Sequence, residues 1–173
     1  MSEEIRIPIG LADITIGSGS GETPLEVEVQ GDAAVLTVEP MTEAVDLYTM
    51  PHFDQLLVGW NVQLKIVLES ESYEQIEAAL PFINKYSAGS DNWLEDGKLF
   101  QRARDKALEI TVHPADLPAD NKTYDVTIFK AIATGTYERK YGKEVSKYEI
   151  TFQALAKTLD YTEAGNFFQI GGY

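Results

Sequence analysis

Apolar and polar residues alternate along much of this chain with the period of two that marks strands with one face in a core and the other in water. The clearest run starts at Trp60: Val62, Leu64, Ile66 and Leu68 fall on one face, and Gln63, Lys65 and Glu69 on the other. Leu25, Val27 and Val29 alternate with Glu26, Glu28 and Gln30. Gly31-Asp32 then reads as a turn into Ala34, Leu36 and Val38, which predicts a hairpin. Further on, Leu108, Ile110 and Val112 alternate with Glu109, Thr111 and His113 until Pro114 stops the pattern. Two long segments, Tyr124 to Ala133 and Val145 to Ala156, predict a second hairpin joined near Tyr141-Gly142-Lys143. In its return strand Tyr148, Ile150, Phe152 and Ala154 face the core, while Lys147, Glu149, Thr151 and Gln153 face water.

The pattern breaks in four places. Ser72-Tyr73-Glu74-Gln75 is a capping box, in which the Ser72 hydroxyl and the Gln75 side chain satisfy free amides at a helix start. Tyr73, Ile76, Ala79, Leu80 and Ile83 follow at helical spacing, predicting one flanking α-helix at about 72–86 that Pro81 kinks or shortens. The segment at about 40–55, bounded by Pro40 and Pro51, shows no regular repeat and predicts a long loop carrying Leu47, Tyr48, Met50 and Phe53. Ser87 to Gly97 is rich in Gly, Ser, Asp and Asn and reads as an irregular loop around Trp93 and Leu94. At about 157–173 an arm ends in the aromatic run Phe167-Phe168-Gln169-Ile170-Gly171-Gly172-Tyr173, which needs a surface to pack on. These elements predict one mainly β domain over residues 1–173.

Composition adds that the stability of the domain comes from packing or from partners. Apolar residues make up 44% of the 173 and charged residues 24%, a balance that supports a core. There is no cysteine, so neither disulfides nor thiol chemistry enter. No apolar run has the length of a membrane span, and the acidic start Met1-Ser2-Glu3-Glu4 is unlike a secretion signal, which predicts a soluble protein made in the cytoplasm. The formal charge of −14 opposes the attraction to phosphates that drives nucleic-acid binding. Such a surface confers solubility, and it also suits a wall past which nucleic acid slides.

The search for chemistry predicts no catalytic residue, no metal and no cofactor. Only His52 and His113 are available as bases. Asp46 and Asp54 lie near His52 in sequence, a coincidence that 28 acidic residues make unremarkable. Gly17-Ser18-Gly19-Ser20-Gly21 lacks the Lys-Ser/Thr of a phosphate loop and leads into a strand, so it reads as a linker or hairpin tip. Asp91 to Gly97 resembles a calcium loop until Trp93 and Leu94 interrupt the ligand spacing. Asn121-Lys122-Thr123 matches a glycosylation sequon that has no secretory route to serve it.

Leu108-Glu109-Ile110-Thr111-Val112-His113-Pro114-Ala115-Asp116, then Val126-Thr127-Ile128-Phe129-Lys130-Ala131, then Tyr148-Glu149-Ile150-Thr151-Phe152-Gln153-Ala154-Leu155 follow one another in an order and spacing that resembles the major tail (tail-tube) proteins of long-tailed bacteriophages. The resemblance runs from about Leu56 to the C-terminus. It implies a β-sandwich with a flanking helix whose inner sheet joins a ring-wide β-barrel. It also implies hexameric rings that stack into a hollow tube for DNA ejection, with a virion location after synthesis in the host cytoplasm. On this basis Leu47, Tyr48, Met50, Phe53, Phe167, Phe168, Ile170 and Tyr173 are expected at contacts between subunits or rings. Gln63, Lys65, Glu149, Thr151 and Gln153 are expected on the luminal face, where DNA passes without tight binding. The implied partners are further copies of the chain, a tape-measure protein and a tail terminator. Two alternatives are the inner tube of a contractile injection machine and a solitary binding module, for example one that holds carbohydrate on Trp60, Trp93 and Tyr48. An enzyme with His52 as base is a third class.

Overall fold

The computed structural model of the chain describes residues 10–28, 34–68, 72–143, 147–160 and 162–172. Its strands are β1 (Ala12–Ile16), β2 (Leu25–Glu28), β3 (Val35–Leu47), β4 (Met50–Leu68), β5 (Ile83–Ala88), β6 (Asp91–Asp96), β7 (Leu108–Pro114), β8 (Val126–Thr134), β9 (Tyr148–Ala154) and β10 (Phe168–Ile170). Helix α1 spans Tyr73–Ala79, and α2 is a single turn, Ala103–Lys106. The protein is mainly β and antiparallel throughout.

Eight strands form one sheet in the order β2-β1-β7-β8-β9-β4-β3, with β10 pairing β8 beyond the end of β9. The alternation read from the sequence becomes the pleat. Val62, Leu64, Ile66 and Leu68 of β4 point inward with Tyr148, Ile150, Phe152 and Ala154 of β9. They join Ile14, Ile16, Val27, Ile110 and Ile128 in one buried cluster. Neither helix contributes a buried residue. Partly buried Leu25, Leu36, Val38 and Leu108 of the same sheet, and Ala78 and Ala79 of α1, pack against this cluster. Complete removal of an aliphatic side chain from water stabilises by about 1.5–3 kcal/mol, so this face dominates the stability of the fold.

The capping box forms as read: the Gln75 N–H donates to Ser72 Oγ at 3.1 Å and the Ser72 N–H to Gln75 Oε1 at 3.0 Å. The predicted helix at about 72–86 is, however, only seven residues long. Leu80 ends it in a non-helical conformation ahead of Pro81, and residues 83–88 form a strand instead. The expected irregular loop over Ser87 to Gly97 is the second half of that hairpin, in which β5 pairs β6 around Gly89-Ser90. Gly89 has φ +64°, which a tight hairpin turn demands. Tyr86 stacks on Trp93 across the pair, at 5.7 Å between ring centres.

Two further expectations are corrected by the sheet order. Among the described residues, Leu25–Glu28 and Ala34–Val38 are not paired with one another. Strand β2 pairs β1 at one end of the sheet and β3 pairs β4 at the other, and the turn at Gly31-Asp32, with Val29 and Gln30, falls outside the described residues. The segment at about 40–55 is not a loop: it is the distal part of β3 and β4, paired from Met41↔Gly59 to Leu47↔Met50. By contrast, the second predicted hairpin is present, with β8 and β9 paired from Ala131↔Ala154 to Thr134↔Thr151.

Candidate functional site

The feature that distinguishes this molecule from a closed β domain is the distal β3–β4 hairpin. Strand β4 runs for 19 residues, but β9 pairs it only from Gln63 to Leu68. The rest of β4, with the matching length of β3, continues as a two-stranded ribbon on which every residue from Glu39 to Val58 is exposed. Nine large apolar side chains are exposed on it: Met41, Val45, Leu47, Tyr48, Met50, Phe53, Leu56, Leu57 and Val58. An isolated two-stranded ribbon is marginal in water, and a contiguous apolar surface of this kind marks an interaction site.

The ribbon is built by identifiable devices. At its base Trp60 meets Phe168 of β10 edge to face, with ring centres 5.6 Å apart. A bulge follows, because Met41 faces Gly59 while Thr42 faces Leu57, which leaves Val58 as an extra residue. At the tip Asp46 Oδ1 accepts the His52 backbone N–H at 2.6 Å, and His52 itself has φ +56°. The Asp46 carboxylate is thus engaged with the main chain of His52 and shapes the turn. Cross-strand pairs put Glu43 and Val45 on one face with Leu56 and Asp54, and beyond a second register shift Leu47 opposes Met50 at the tip. Thr42 and Ala44 share the other face with Leu57 and Gln55. No lysine or arginine occurs from Glu39 to Trp60, while Glu39, Glu43, Asp46 and Asp54 all do. The ribbon is apolar and acidic.

A second surface lies on the outer face of the sheet. The register Gln63↔Gln153, Lys65↔Thr151, Val67↔Glu149 gathers Gln63, Lys65, Glu149, Thr151 and Gln153 on one face. Their side chains interlock: Gln63 Nε2 donates to Gln153 Oε1 at 2.9 Å, Gln153 Nε2 to Asn61 Oδ1 at 3.1 Å, and Lys65 pairs with Glu149 at 2.8 Å. With Lys65 paired to Glu149, these five residues present amides, a hydroxyl and a neutralised ion pair.

The aromatic C-terminal segment is folded back rather than projecting. Strand β10 pairs β8, and Phe167 and Phe168 pack against the buried cluster. This corrects the expectation that both rings await a partner, because each has neighbours within its own chain. Ile170 remains exposed, and Tyr173 falls outside the described residues. Next to this segment His113 Nδ1 donates to Asp125 Oδ1 at 2.5 Å and Nε2 to the Leu117 carbonyl at 3.3 Å. A carboxylate and a carbonyl can only accept, so the imidazolium is the form that satisfies both. The bond to Asp125 holds the His113 pKa above the usual imidazole value, with burial opposing it. Asp125 in turn accepts the Gly171 N–H on its carbonyl at 2.7 Å, so the pair fastens the segment after β10.

The remaining candidates resolve into local structure. Gly17–Gly21 turns β1 into β2, and Gly17, at φ +79°, sits where a Cβ would lie 2.6 Å from the Thr23 carbonyl oxygen. Asp91 to Asp96 is strand β6. Trp60, Trp93 and Tyr48 lie on separate features: the ribbon base, the β5–β6 hairpin and the ribbon tip. Sequence reasoning missed the exposed Leu99 and Phe100, of which Phe100 has φ +66°. The only sequence signal for them was two adjacent large apolar residues among polar ones. Compared with known proteins, the chain matches no family model and no curated protein.

Proposed function

We propose that this protein is a structural subunit that polymerises through its β3–β4 ribbon into stacked rings, forming the hollow tail tube of a long-tailed bacteriophage. The observation that carries the reading is the concentration of nine exposed apolar side chains on a ribbon held clear of the sheet. Burial of such side chains drives association, and no described residue of the chain covers them. Within this reading Leu47, Tyr48, Met50 and Phe53 make the contacts between rings, with Ile170 at a subunit boundary. The interlocked face of Gln63, Lys65, Glu149, Thr151 and Gln153 lines the lumen, as part of a β-sandwich whose inner sheets join around the ring. The formal charge of −14 keeps DNA from adhering during passage. The tape-measure protein and the tail terminator would bound the length of such a tube.

The test is negative-stain electron microscopy of the purified protein over a concentration series, with sizing of the same samples. Hollow tubes or stacked rings are expected to emerge as concentration rises. Monodisperse monomers at every concentration, also after mixing with tape-measure and terminator proteins, would overturn the reading.

A further inference from the structure

If the ribbon docks on another copy, that copy must present a surface of opposite character. Among the described residues, the loop at 97–106 is a candidate whose chemistry fits. Residues 97–106 hold four of the fourteen basic residues, Lys98, Arg102, Arg104 and Lys106, against a single acid, Asp105. Arg104 is occupied, donating to the carbonyls of Ala156 and Lys157. Lys98, Arg102 and Lys106 are exposed and form no ion pair among the described residues. Between them stand Leu99, 82% exposed, and Phe100, fully exposed. A groove of about 650 Å³ runs beside these two, with Leu80, Pro81, Phe82 and Ala133 among its walls.

The loop is built to hold this display. A Cβ at position 97 would lie 2.0 Å from the Phe82 carbonyl oxygen, so glycine alone lets the loop press onto Phe82. Gln101 Nε2 ties it from the other side by donating to the Lys98 carbonyl at 2.8 Å. Phe100 is thereby kept at φ +66°, a backbone state that bulky side chains disfavour and that persists where the surroundings impose it. The ring is turned out to water by a constrained backbone rather than by slack.

We infer that the Lys98–Lys106 loop and its groove receive the ribbon of a second copy of this chain. The ribbon face bearing Glu43, Asp54, Val45 and Leu56, with Leu47 and Met50 at the tip beyond it, meets Leu99, Phe100 and the groove, its two carboxylates against Lys98 and Arg102. The contact joins two different surfaces of identical chains, so it propagates instead of closing a pair. This deepens the assembly reading above and rests on it.

Charge reversal tests it. A ribbon variant, Glu43→Lys with Asp54→Lys, and a loop variant, Lys98→Glu with Arg102→Glu, should each raise the critical concentration for polymerisation at least tenfold. Mixed one to one, they should copolymerise near the wild-type concentration, because each reversed surface then meets a reversed partner. The chain carrying all four changes should assemble alone. As a check that does not alter charge, Phe100→Gly should melt no lower than wild type and still assemble poorly. Single variants that polymerise normally, or a four-fold variant and a mixture that both fail while the wild type forms tubes, would overturn the loop as receptor and leave the assembly reading standing. A wild type that never assembles would sink both.

Discussion

Strand β4 is one continuous strand with two different fates. From Val62 to Leu68 it alternates strictly, pairs β3 up to Lys65 and β9 from Gln63 onward, and buries every second side chain almost completely. From Met50 to Gly59 it has β3 on one side only, and Leu56, Leu57 and Val58 are exposed in succession. The proximal half is written for a sheet with one dry face and one wet face. The distal half is apolar on both faces, the composition of a strand to be covered twice. Neighbours, more than local hydrophobicity, decide which apolar residues this chain buries by itself. The difference separates residues that hold the fold from residues kept for a partner.

The sharpest way to break the comparison is to make the distal half polar. Changing Leu47, Met50 and Leu56 together to Ser should abolish polymerisation while shifting the melting temperature by about 2 °C or less. Three buried side chains at about 1.5 kcal/mol each weaken association by upwards of roughly a thousandfold. Loss of the monomer fold, read by circular dichroism, would show that the ribbon belongs to the core. On the proximal half, Ile66→Ala should cost about 2–5 kcal/mol in denaturant unfolding, through lost burial and the cavity left behind. At the junction, Phe168→Ala removes the ring against Trp60 and should cost about 1.5–3 kcal/mol, less than a core site because Phe168 is only partly buried. It should also loosen the ribbon base, seen as faster amide exchange from Pro40 to Trp60.

The smallest effect concerns pH. His113 has a raised pKa in the folded state through Asp125, so folding is favoured most when the imidazole is charged in both states. That contribution is fully present below about pH 6.5, the ordinary imidazole value, and is lost as pH rises through the raised folded value. Unfolding curves between pH 6 and 9 should show wild-type stability falling where His113→Gln stays flat, with protection of the Gly171 amide falling in step.

How much of this was legible in the sequence follows from the same physics. Strands with one wet face announce themselves, so Val62–Leu68, Leu108–Pro114 and Tyr148–Ala154 were readable, and so was the capping box at Ser72. The ribbon was not, because alternation is absent where both faces are apolar, and Pro40 and Pro51 signal loops. Strands β5 and β6 were hidden behind the turn-forming residues around Gly89, although Tyr86 and Trp93, seven apart across a two-residue turn, were a cross-strand pair in plain view. The hairpin expected between Leu25 and Val38 came from assuming that neighbours in sequence pair, whereas among the described residues β2 and β3 stand at opposite ends of the strand order. The outer-face residues around Gln63 and Gln153 were legible by periodicity, but their interlocking required the register. Phe167 and Phe168 were misplaced because an apolar tail gives no sign of whether its partner is its own sheet.

The extra residue at Val58 also sets rules of length for the ribbon. Strand faces repeat every two residues, so inserting or removing a matched pair beyond the bulge would lengthen or shorten the reach and leave its contact face unchanged. A change of one residue would turn that face over. Val58 therefore acts as a phase offset between the sheet and an adjustable arm: the arm can be re-aimed by a single codon without touching the strands that hold the molecule together.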